Sequence, residues 1–532
     1  MSNLNQQTAT ARQFHDATKY VAVIDDQGQE QSLMGTAPNL EEAIWQEDWS
    51  LEPFAFKIYE TLDPIPLPRE FSPSTISALE AISRTGTEPE GERIPTLNDV
   101  ARIALLSNGL LNRQRKSQSG QIIEFRTAGG TGARYHLELY FACGDLPDLE
   151  AGLYHYAAHD HSLRRLRRGD FRQVLVEATG REPAVAQAPL VVALTSTFWR
   201  NAWRYKGRAY RHTFWDAGTT LANLLAVTAS IELPTRLVLG YADAEVNDLL
   251  GIDGHREATA ALCAIGHTDQ APTASPHLEP LDYPVRAISP REVEFPVIGM
   301  LHGASMLSTG DEAAACRSNS LRRTPATPEG PTTQLRPLPD GDLPELRIED
   351  VIFKRRSTRH YDTDVRIPFD AFSTLFDRST RGFAADCLDS NAEPLHECYL
   401  IVNGVEGLDP GVYRHLPRRG LIEQTKTGNF RSKAQRLAVD QAYAADAHVN
   451  AYYLTNLDPV LARYGNRGYR LAQLAPAIYA GKLHLGTHSL GLGAVGSTSF
   501  DDEVVDFFSP QAAGSSYMFV VVFGKRKRGN KG

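Results

Sequence analysis

The spacing of apolar residues predicts alternating helices and strands through the first part of the chain. Residues 98–111 place apolar side chains at helical spacing, and residues 215–231 are apolar enough to form a long buried helix. Residues 137–142 and 190–195 are short apolar runs of the kind that form buried strands. This alternation over residues 95–302 predicts an α+β unit.

Composition divides the 532-residue chain, which is too long for one ordinary core, into four parts. The start of the chain is polar and irregular, with a short helix near residues 11–19. A later segment is rich in Pro, Thr, Ser and Gly, which is typical of a linker. The predicted parts are an N-terminal arm (1–90), a first unit (91–302), a linker (303–345) and a second unit (346–532) that ends in a basic tail.

An internal repeat relates the two units. Three short motifs recur, each at a separation of 259 residues: Gly152-Leu-Tyr-His155 as Gly411-Val-Tyr-Arg414, Gly169-Asp-Phe-Arg172 as Gly428-Asn-Phe-Arg431, and Arg208-Ala-Tyr-Arg211 as Arg467-Gly-Tyr-Arg470. Three matches at one offset indicate two copies of one fold. We therefore expect the copies to pack as an intrachain pseudo-dimer, the covalent form of an isologous pair.

Charge and cysteine content exclude several classes of protein. The chain has 55 Lys and Arg against 64 Asp and Glu, a net charge of −9, so no bulk attraction to nucleic acid or anionic membranes is expected. No apolar run is long enough to span a bilayer. The five cysteines form no Cys-x-x-Cys pair and no His-Glu-x-x-His motif occurs, which predicts a cytoplasmic protein without a disulfide framework or a metal site.

A dense basic cluster opens the second unit. Arg355, Arg356 and Arg359 surround Ser357 within five residues. Guanidinium groups match phosphate oxygens bidentately, so the cluster is a candidate phosphate clamp, whereas the simpler interpretation is a solvated helix end. A second glycine pattern, at residues 491–496, fits the dinucleotide fingerprint but follows a predicted helix and precedes a predicted strand, which is the wrong order for that site.

These motifs resemble the nitroreductase superfamily and, more closely, the tandem SagB/ThcOx-type dehydrogenases. The resemblance depends on the Arg-Arg-Ser-x-Arg cluster, the Gly-x-Tyr hairpins, the Arg-x-Tyr-Arg helix starts and the loop at residues 126–136, which stands before a predicted strand. It implies that FMN binds between the two units. The residues it implies for the cofactor are Arg355, Arg356, Ser357 and Arg359 for phosphate and ribityl oxygens; Lys525, Arg526 and Arg528 for the same phosphate; Gly496 and Ser497 for the ring; and Arg126, Gly130, Thr131 and Gly132 from the first unit.

The two copies differ in which cofactor-binding parts they retain. The first unit has no Arg-Arg-Ser-x-Arg, and we expect its equivalent at residues 66–74. The second unit has no Gly-Thr-Gly-Ala loop, and its equivalent is expected at residues 381–391. One complete set remains, which predicts one FMN per chain. The basic tail has an alternative interpretation as a solvated chain end.

The resemblance also implies the position of the proton-handling group. SagB-type enzymes have a Lys-Tyr pair where this chain has Arg204-Tyr205 and Arg463-Tyr464. Arginine does not act as a base at working pH, but a neighbouring guanidinium can lower the pKa of a tyrosine. The candidate catalytic residues are therefore Tyr205, Tyr464 and Lys206; packing of these tyrosines at a helix start is the alternative.

Three functions remain open from the sequence. The first is an FMN-dependent dehydrogenase or oxidase of a modified peptide, of the azoline-to-azole type found in peptide natural product biosynthesis, or of a related small molecule. The second is an NAD(P)H-dependent nitro- or quinone-type reductase. The third is a flavin-free scaffold that binds peptides. The expected partners are a small molecule or modified peptide, and a further homodimer is compatible with the sequence.

Overall fold

Two seven-stranded antiparallel sheets, one in each unit, form the framework of the protein. The computed structural model describes residues 4–24, 30–34, 45–84, 91–318, 320–389 and 392–527. The sheet of the first unit has the strand order β10 (Thr235–Val238), β11 (Glu257–Ile265), β9 (Leu190–Thr197), β6 (Leu137–Cys143), β7 (Gly152–Ala157), β8 (Ser162–Arg168) and β3 (Pro64–Pro66). The sheet of the second unit has the order β17 (Gly493–Ser497), β18 (Ser516–Gly524), β16 (Val449–Thr455), β13 (Glu397–Val402), β14 (Gly411–Leu416), β15 (Leu421–Thr427) and β12 (Thr332–Gln334).

The arm and first unit contain nine helices and eleven strands within the described residues. The helices are α1 (Ala9–Ala17), α2 (Ala78–Ser83), α3 (Leu97–Asn108), α4 (Arg172–Ala178), α5 (Pro183–Ala186), α6 (Phe198–Tyr205), α7 (Ala209–Ser230), α8 (Asp243–Leu250) and α9 (Pro296–Ala304). The strands are β1 (Tyr20–Ile24), β2 (Glu30–Met34), β3 (Pro64–Pro66), β4 (Leu110–Lys116), β5 (Ile122–Arg126), β6 (Leu137–Cys143), β7 (Gly152–Ala157), β8 (Ser162–Arg168), β9 (Leu190–Thr197), β10 (Thr235–Val238) and β11 (Glu257–Ile265).

The rest of the described chain repeats this order. Its helices are α10 (Gly310–Arg317), α11 (Ile348–Lys354), α12 (Phe369–Ser379), α13 (Arg431–Leu437), α14 (Ala442–Asp446), α15 (Leu457–Tyr464), α16 (Arg467–Ser489) and α17 (Asp501–Phe508). Its strands are β12 (Thr332–Gln334), β13 (Glu397–Val402), β14 (Gly411–Leu416), β15 (Leu421–Thr427), β16 (Val449–Thr455), β17 (Gly493–Ser497) and β18 (Ser516–Gly524). The matching order of strands and helices confirms the α+β fold and the duplication predicted from the sequence.

Most predicted elements are present with shifted ends. The predicted strands at 137–142 and 190–195 are β6 and β9, and the predicted buried helix begins earlier, at Ala209. The helix predicted to reach residue 111 ends at Asn108, and the chain continues as β4. Its start is fixed by a capping box, in which Thr96 and Asp99 exchange side-chain-to-backbone hydrogen bonds.

One edge strand of each sheet comes from a segment outside the predicted units. β3 of the arm pairs with β8, and β12 of the predicted linker pairs with β15. α2 and α11 then occupy equivalent places after these strands, so the first-unit counterpart of the basic cluster follows Ser83. The expectation that this counterpart lies at residues 66–74 is wrong, because that segment precedes α2. The domain boundaries themselves stay predictions.

The two units meet through their longest helices, α7 and α16. A Cβ atom on Gly218 would lie 2.5 Å from the Cβ of Ala477, and one on Gly481 would lie 2.6 Å from the Cβ of Ala222. The helices therefore touch through positions where no larger side chain fits. Within the described ranges, no helix is both long and apolar enough to cross a membrane.

Ion pairs between the two units stabilise the interface on both sides of this helix pair. Arg208 and Arg211 bind Asp501 of the second unit at 2.9 and 2.5 Å. The equivalent Arg467 and Arg470 bind Asp243 of the first unit at 2.6 and 2.7 Å, and all six side chains are buried. The recurring Arg-x-Tyr-Arg motif is thus an interface motif, and its exchange between units has the pattern of a pseudo-twofold axis.

Candidate functional site

A cavity of about 480 Å³ lies between the two units, beside the contact of α7 with α16. Its walls come from both units and from the arm. Nine of the predicted site residues line it: Gly130, Thr131, Gly132 and Tyr205 of the first unit, and Arg355, Ser357, Arg359, Gly496 and Ser497 of the second. The structure therefore brings the glycine loop of one copy against the basic cluster of the other.

One end of the cavity is cationic. Arg355 is 6% exposed, and its Nη2 and Nε donate to the carbonyl oxygen of Thr127 at 3.1 and 3.4 Å. No carboxylate of the described chain forms an ion pair with it. Burial lowers the pKa of Arg355 to about 10. An arginine held in this way lacks the counter-charge that buried cations normally have, so the site is suited to an anionic group.

The cluster is held in place by the second unit's sheet. α11 ends beside Arg355, and the chain then runs next to β17, where Thr358 N–H donates to the Ala494 carbonyl at 2.9 Å. Ser357 forms a parallel bridge with the same residue. This pairing keeps the cluster extended, and it places Ser357 and Arg359 on the cavity wall.

The glycine loop is anchored by Asp216 of α7. The Thr131 backbone N–H and hydroxyl both donate to the Asp216 carboxylate, at 2.8 and 2.7 Å, and the ring of His136 hydrogen-bonds to it at 2.9 Å. Gly132 has φ of 62°, and a Cβ there would collide with the Tyr205 hydroxyl. The loop therefore needs glycine on conformational and steric grounds.

Aromatic side chains form the opposite wall. Trp215 contacts Phe519 with ring centroids 5.3 Å apart, and its indole N–H donates to Gln473 at 2.6 Å. The ring of Tyr205 meets that of His212 edge-on at 4.7 Å. Tyr20 of the arm also lines the cavity. Such a wall suits a flat conjugated ligand.

Tyr205 and His212 are both neutral near pH 7. Burial raises the pKa of Tyr205 to about 12, although the charge of Arg204 opposes the shift. The charge of Arg204 lowers this pKa, as expected, but burial outweighs it, because its guanidinium carbon lies 5.9 Å from the ring centroid and the side chain is 37% exposed. Burial and the charge of Arg208 hold the pKa of His212 well below its usual range.

The remaining predicted residues lie outside the cavity lining. Tyr464 donates to the Cys387 carbonyl at 2.8 Å, and Arg126 donates to the Ala55 carbonyl at 2.9 Å. Lys206 lies in a tight turn between α6 and α7. Arg356, Lys525 and Arg526 are exposed nearby, and Arg528 lies outside the described residues. The roles of all seven residues stay predictions, and none of the six that the structure describes lines the cavity.

The pseudo-symmetric position on the other side of α7 and α16 is filled by protein. The loop after α12 crosses to the first unit, where Ala385 bridges Leu237. The Asp386 carboxylate accepts the backbone N–H groups of Leu239 and Gly240 at 2.8 and 2.9 Å. By strand register these two residues are the counterparts of Ser497 and Thr498 in the cavity wall. An internal carboxylate therefore occupies the position that a ligand would need.

The side chains of the two copies diverge at the same place. Three cavity residues that the sequence did not single out, His212, Trp215 and Asp216, correspond at the repeat offset to Leu471, Leu474 and Ala475. Aligning the copies on that offset would have revealed them, because α7 carries side chains with polar groups at three positions where α16 is apolar. Tyr20 and Tyr443 were also missed, and no sequence signal marks them.

A sequence profile of the nitroreductase family matches residues 135–267 and 352–525, which together exceed half of the chain. One matched segment lies in each unit. A protein of Methanocaldococcus jannaschii that is provisionally named a nitroreductase is 29% identical over 171 residues, which are 31% of this chain and 84% of that protein.

One solved structure shares the fold over nearly the whole chain. A crystal structure from Anabaena variabilis, also provisionally named a nitroreductase, is 25% identical with a TM-score of 0.74 and covers 97% of this chain and 99% of that chain. A chain of the E. coli microcin synthetase complex with truncated pro-MccB17 bound is 16% identical, with a TM-score of 0.30, over 51% of this chain and 98% of that chain. The second similarity is too low to carry an argument.

Proposed function

Because the chain belongs to the nitroreductase family, we propose that it is an FMN-dependent oxidoreductase that binds one flavin in the cavity between its units. The observation that carries the proposal is Arg355, a buried cation with no ion-pair partner in the described chain, at one end of an aromatic cavity. A phosphate there would supply the missing counter-charge. The aromatic wall around Trp215 would face the ring system.

The residues of the cavity fit FMN along its length. Arg355, Ser357 and Arg359 would hold the phosphate, and the backbone of Gly130–Gly132 would border the ligand from the first unit. Gly496 and Ser497, which lie in β17, would offer backbone groups to the ring edge. At the pseudo-symmetric position, Asp386 already satisfies the equivalent amides, which supports one flavin per chain.

FMN supplies hydride transfer when it is bound, and this chain must then handle a proton. Tyr205 lines the cavity as a neutral phenol, so it can donate a proton to a substrate that is being reduced. His212 lines the same wall as a neutral imidazole, 2.8 Å from the Asn201 side chain through Nδ1, so it can accept a proton from a substrate that is being oxidised. The site can serve either direction.

The first candidate activity is a SagB-type dehydrogenation of a modified peptide, such as an azoline, with His212 as the proton acceptor. The second is reduction of a nitro compound or quinone by NAD(P)H, which the neutral Tyr205 favours. Stopped-flow mixing separates them. Bleaching of the flavin absorbance by NADPH alone indicates the reductase, and bleaching only by an azoline peptide indicates the dehydrogenase.

The cofactor assignment is tested before the substrate. The purified protein should be yellow, and mass spectrometry of the heat-released cofactor should identify FMN. A colourless, folded protein that fails to bind added FMN would overturn the proposal and leave the flavin-free scaffold.

A further inference from the structure

A basic ribbon beside the cationic end of the cavity has no counterpart in the second unit. β4 and β5 form a two-stranded sheet between α3 and β6. In the second unit, the described residues between α12 and β13 contain no strand. The ribbon is therefore an addition to the one unit that keeps the glycine loop, which suggests a use connected with the cavity.

The ribbon is held as a fixed platform. At its tip, the Ser117 hydroxyl and the Gln121 side chain donate to Glu52 of the arm at 2.8 and 2.9 Å. At its base, the Arg113 guanidinium donates to the Arg355 carbonyl oxygen at 3.1 Å. The hairpin tip thus contacts the arm, and β4 contacts the basic cluster through Arg113. In the described chain each strand pairs only with the other, so the backbone on the outer edge of β4 has no strand partner.

The ribbon and the clamp together form a concentrated cationic surface. Arg115 and Lys116 of β4 are exposed, as are Arg356 and Arg359 beside the cavity. The charges of Arg113 and Arg356 act on each other strongly enough to lower the pKa of Arg113, after burial as the main cause. None of these five side chains has an ion-pair partner within the described ranges, whereas the whole chain carries a net charge of −9.

The segment that follows β18 extends this surface. Lys527 N–H donates to the His360 carbonyl at 3.0 Å, and Arg526 forms an antiparallel bridge with Tyr361. Lys525, Arg526 and Lys527 are all exposed there. Apolar anchors are also present, because Ile122 on the ribbon is 53% exposed and Phe353 at the end of α11 is 42% exposed. The ribbon and the cationic groups around Arg355 therefore adjoin where Arg113 binds the Arg355 carbonyl oxygen, and together they form what we call the basic face.

We propose that this face docks an acidic peptide segment in an extended conformation, which pairs with the edge of β4 and leads towards the cavity. Strand addition supplies affinity through the backbone, and the cations select carboxylate side chains. A peptide is favoured over a small anion because the cations are spread along a strand rather than gathered in one pocket. The inference rests on the proposed function only in naming this segment as part of the substrate.

Fluorescence anisotropy with a fluorescein-labelled peptide of alternating Glu and Val residues tests the proposal on the whole chain. We expect binding that weakens as salt rises, since exposed charges are screened. The double variant Arg115→Glu with Lys116→Glu should bind at least about tenfold more weakly. Arg168→Glu with Arg286→Glu changes two exposed arginines elsewhere by the same charge and should bind like the parent.

Three results would overturn the proposal: no binding of the acidic peptide, equal loss in both double variants, or binding of a Lys-Val peptide as tight as that of the Glu-Val peptide. Displacement of the peptide by NADPH at equal concentration, or by a single-stranded oligonucleotide, would assign the face to that ligand instead. Flavin content is measured in the same samples. Normal flavin content without peptide binding would refute the proposed peptide docking alone. Peptide binding without flavin would refute only the proposed cofactor.

Discussion

Replacing Arg355 by methionine separates a ligand-binding arginine from a structural one. Burial lowers the pKa of Arg355 to about 10, well below the ordinary value of arginine, which corresponds to a folding cost of about 3 kcal/mol for the charged form. The cost is fully present at pH 7, where the side chain is charged in both states. It begins to fall only as pH rises above about 10, and it is gone above the ordinary pKa of arginine. The hydrogen bonds to Thr127 return about 1.5–3 kcal/mol. The folding cost of burying the charge and the gain from its hydrogen bonds nearly cancel.

We therefore expect Arg355→Met to change the free energy of unfolding of the flavin-free protein by less than about 1 kcal/mol. FMN binding should suffer much more. Loss of one charge-assisted contact to phosphate, worth about 1.5–3 kcal/mol, weakens affinity by about 10- to 150-fold. Urea unfolding of the flavin-free protein and a titration with FMN, followed by flavin fluorescence, measure the two quantities.

The matched control is Arg467→Met. Arg467 is as buried as Arg355, but it binds Asp243 at 2.6 Å. Removing one partner of a buried pair costs about 3–5 kcal/mol, so this variant should lose stability in the flavin-free protein. If Arg355→Met were destabilised as strongly as Arg467→Met and still bound FMN normally, Arg355 would be structural, and the clamp would be misplaced.

Three further predictions test other parts of the interpretation. Tyr205→Phe should retain FMN but reduce turnover with an acceptor substrate. In a pH–rate profile, the rate of the parent should fall as pH approaches about 12, the pKa of Tyr205, and the variant should not show this fall. Asp243→Asn should destabilise the protein at pH 7, because burial raises the pKa of Asp243 but the charges of Arg467 and Arg470 lower it overall. The difference from the parent in urea unfolding should shrink as pH falls below about 4, the ordinary pKa of aspartate; a constant difference would contradict the ion-pair role. Acid-released FMN should equal the molar amount of protein, and two FMN per chain would show that Asp386 does not fill the second position.

Much of the fold could be predicted because local patterns and the repeat are both properties of the sequence. Apolar runs marked β6 and β9, and the 259-residue separation of Arg208-Ala-Tyr-Arg211 from Arg467-Gly-Tyr-Arg470 marked the duplication. Element ends were less predictable. α3 stops at Asn108 because the chain turns at Gly109 into the ribbon, and apolar spacing alone continues past that point.

The candidate site, like the fold, was only partly predictable from the sequence. The basic cluster at Arg355 is visible in the sequence because its residues are contiguous and its chemistry is specific. The other residues of the cavity are not visible in the sequence in this way, because Trp215 and His212 reach the cavity only when α7 packs against α16. Arg204 lowers the pKa of Tyr205 as expected, but the net shift is upward, since burial outweighs a partly solvated charge.

The sequence by itself determined that two copies of one α+β fold exist and that one of them carries a dense basic cluster, because both facts reside in short contiguous motifs. Only the tertiary structure decided that the Arg-x-Tyr-Arg motifs exchange ion pairs between units, with Asp501 and Asp243. It also decided that Asp386 closes the second position. These outcomes depend on distances between residues far apart in the chain, which packing sets and local sequence does not encode.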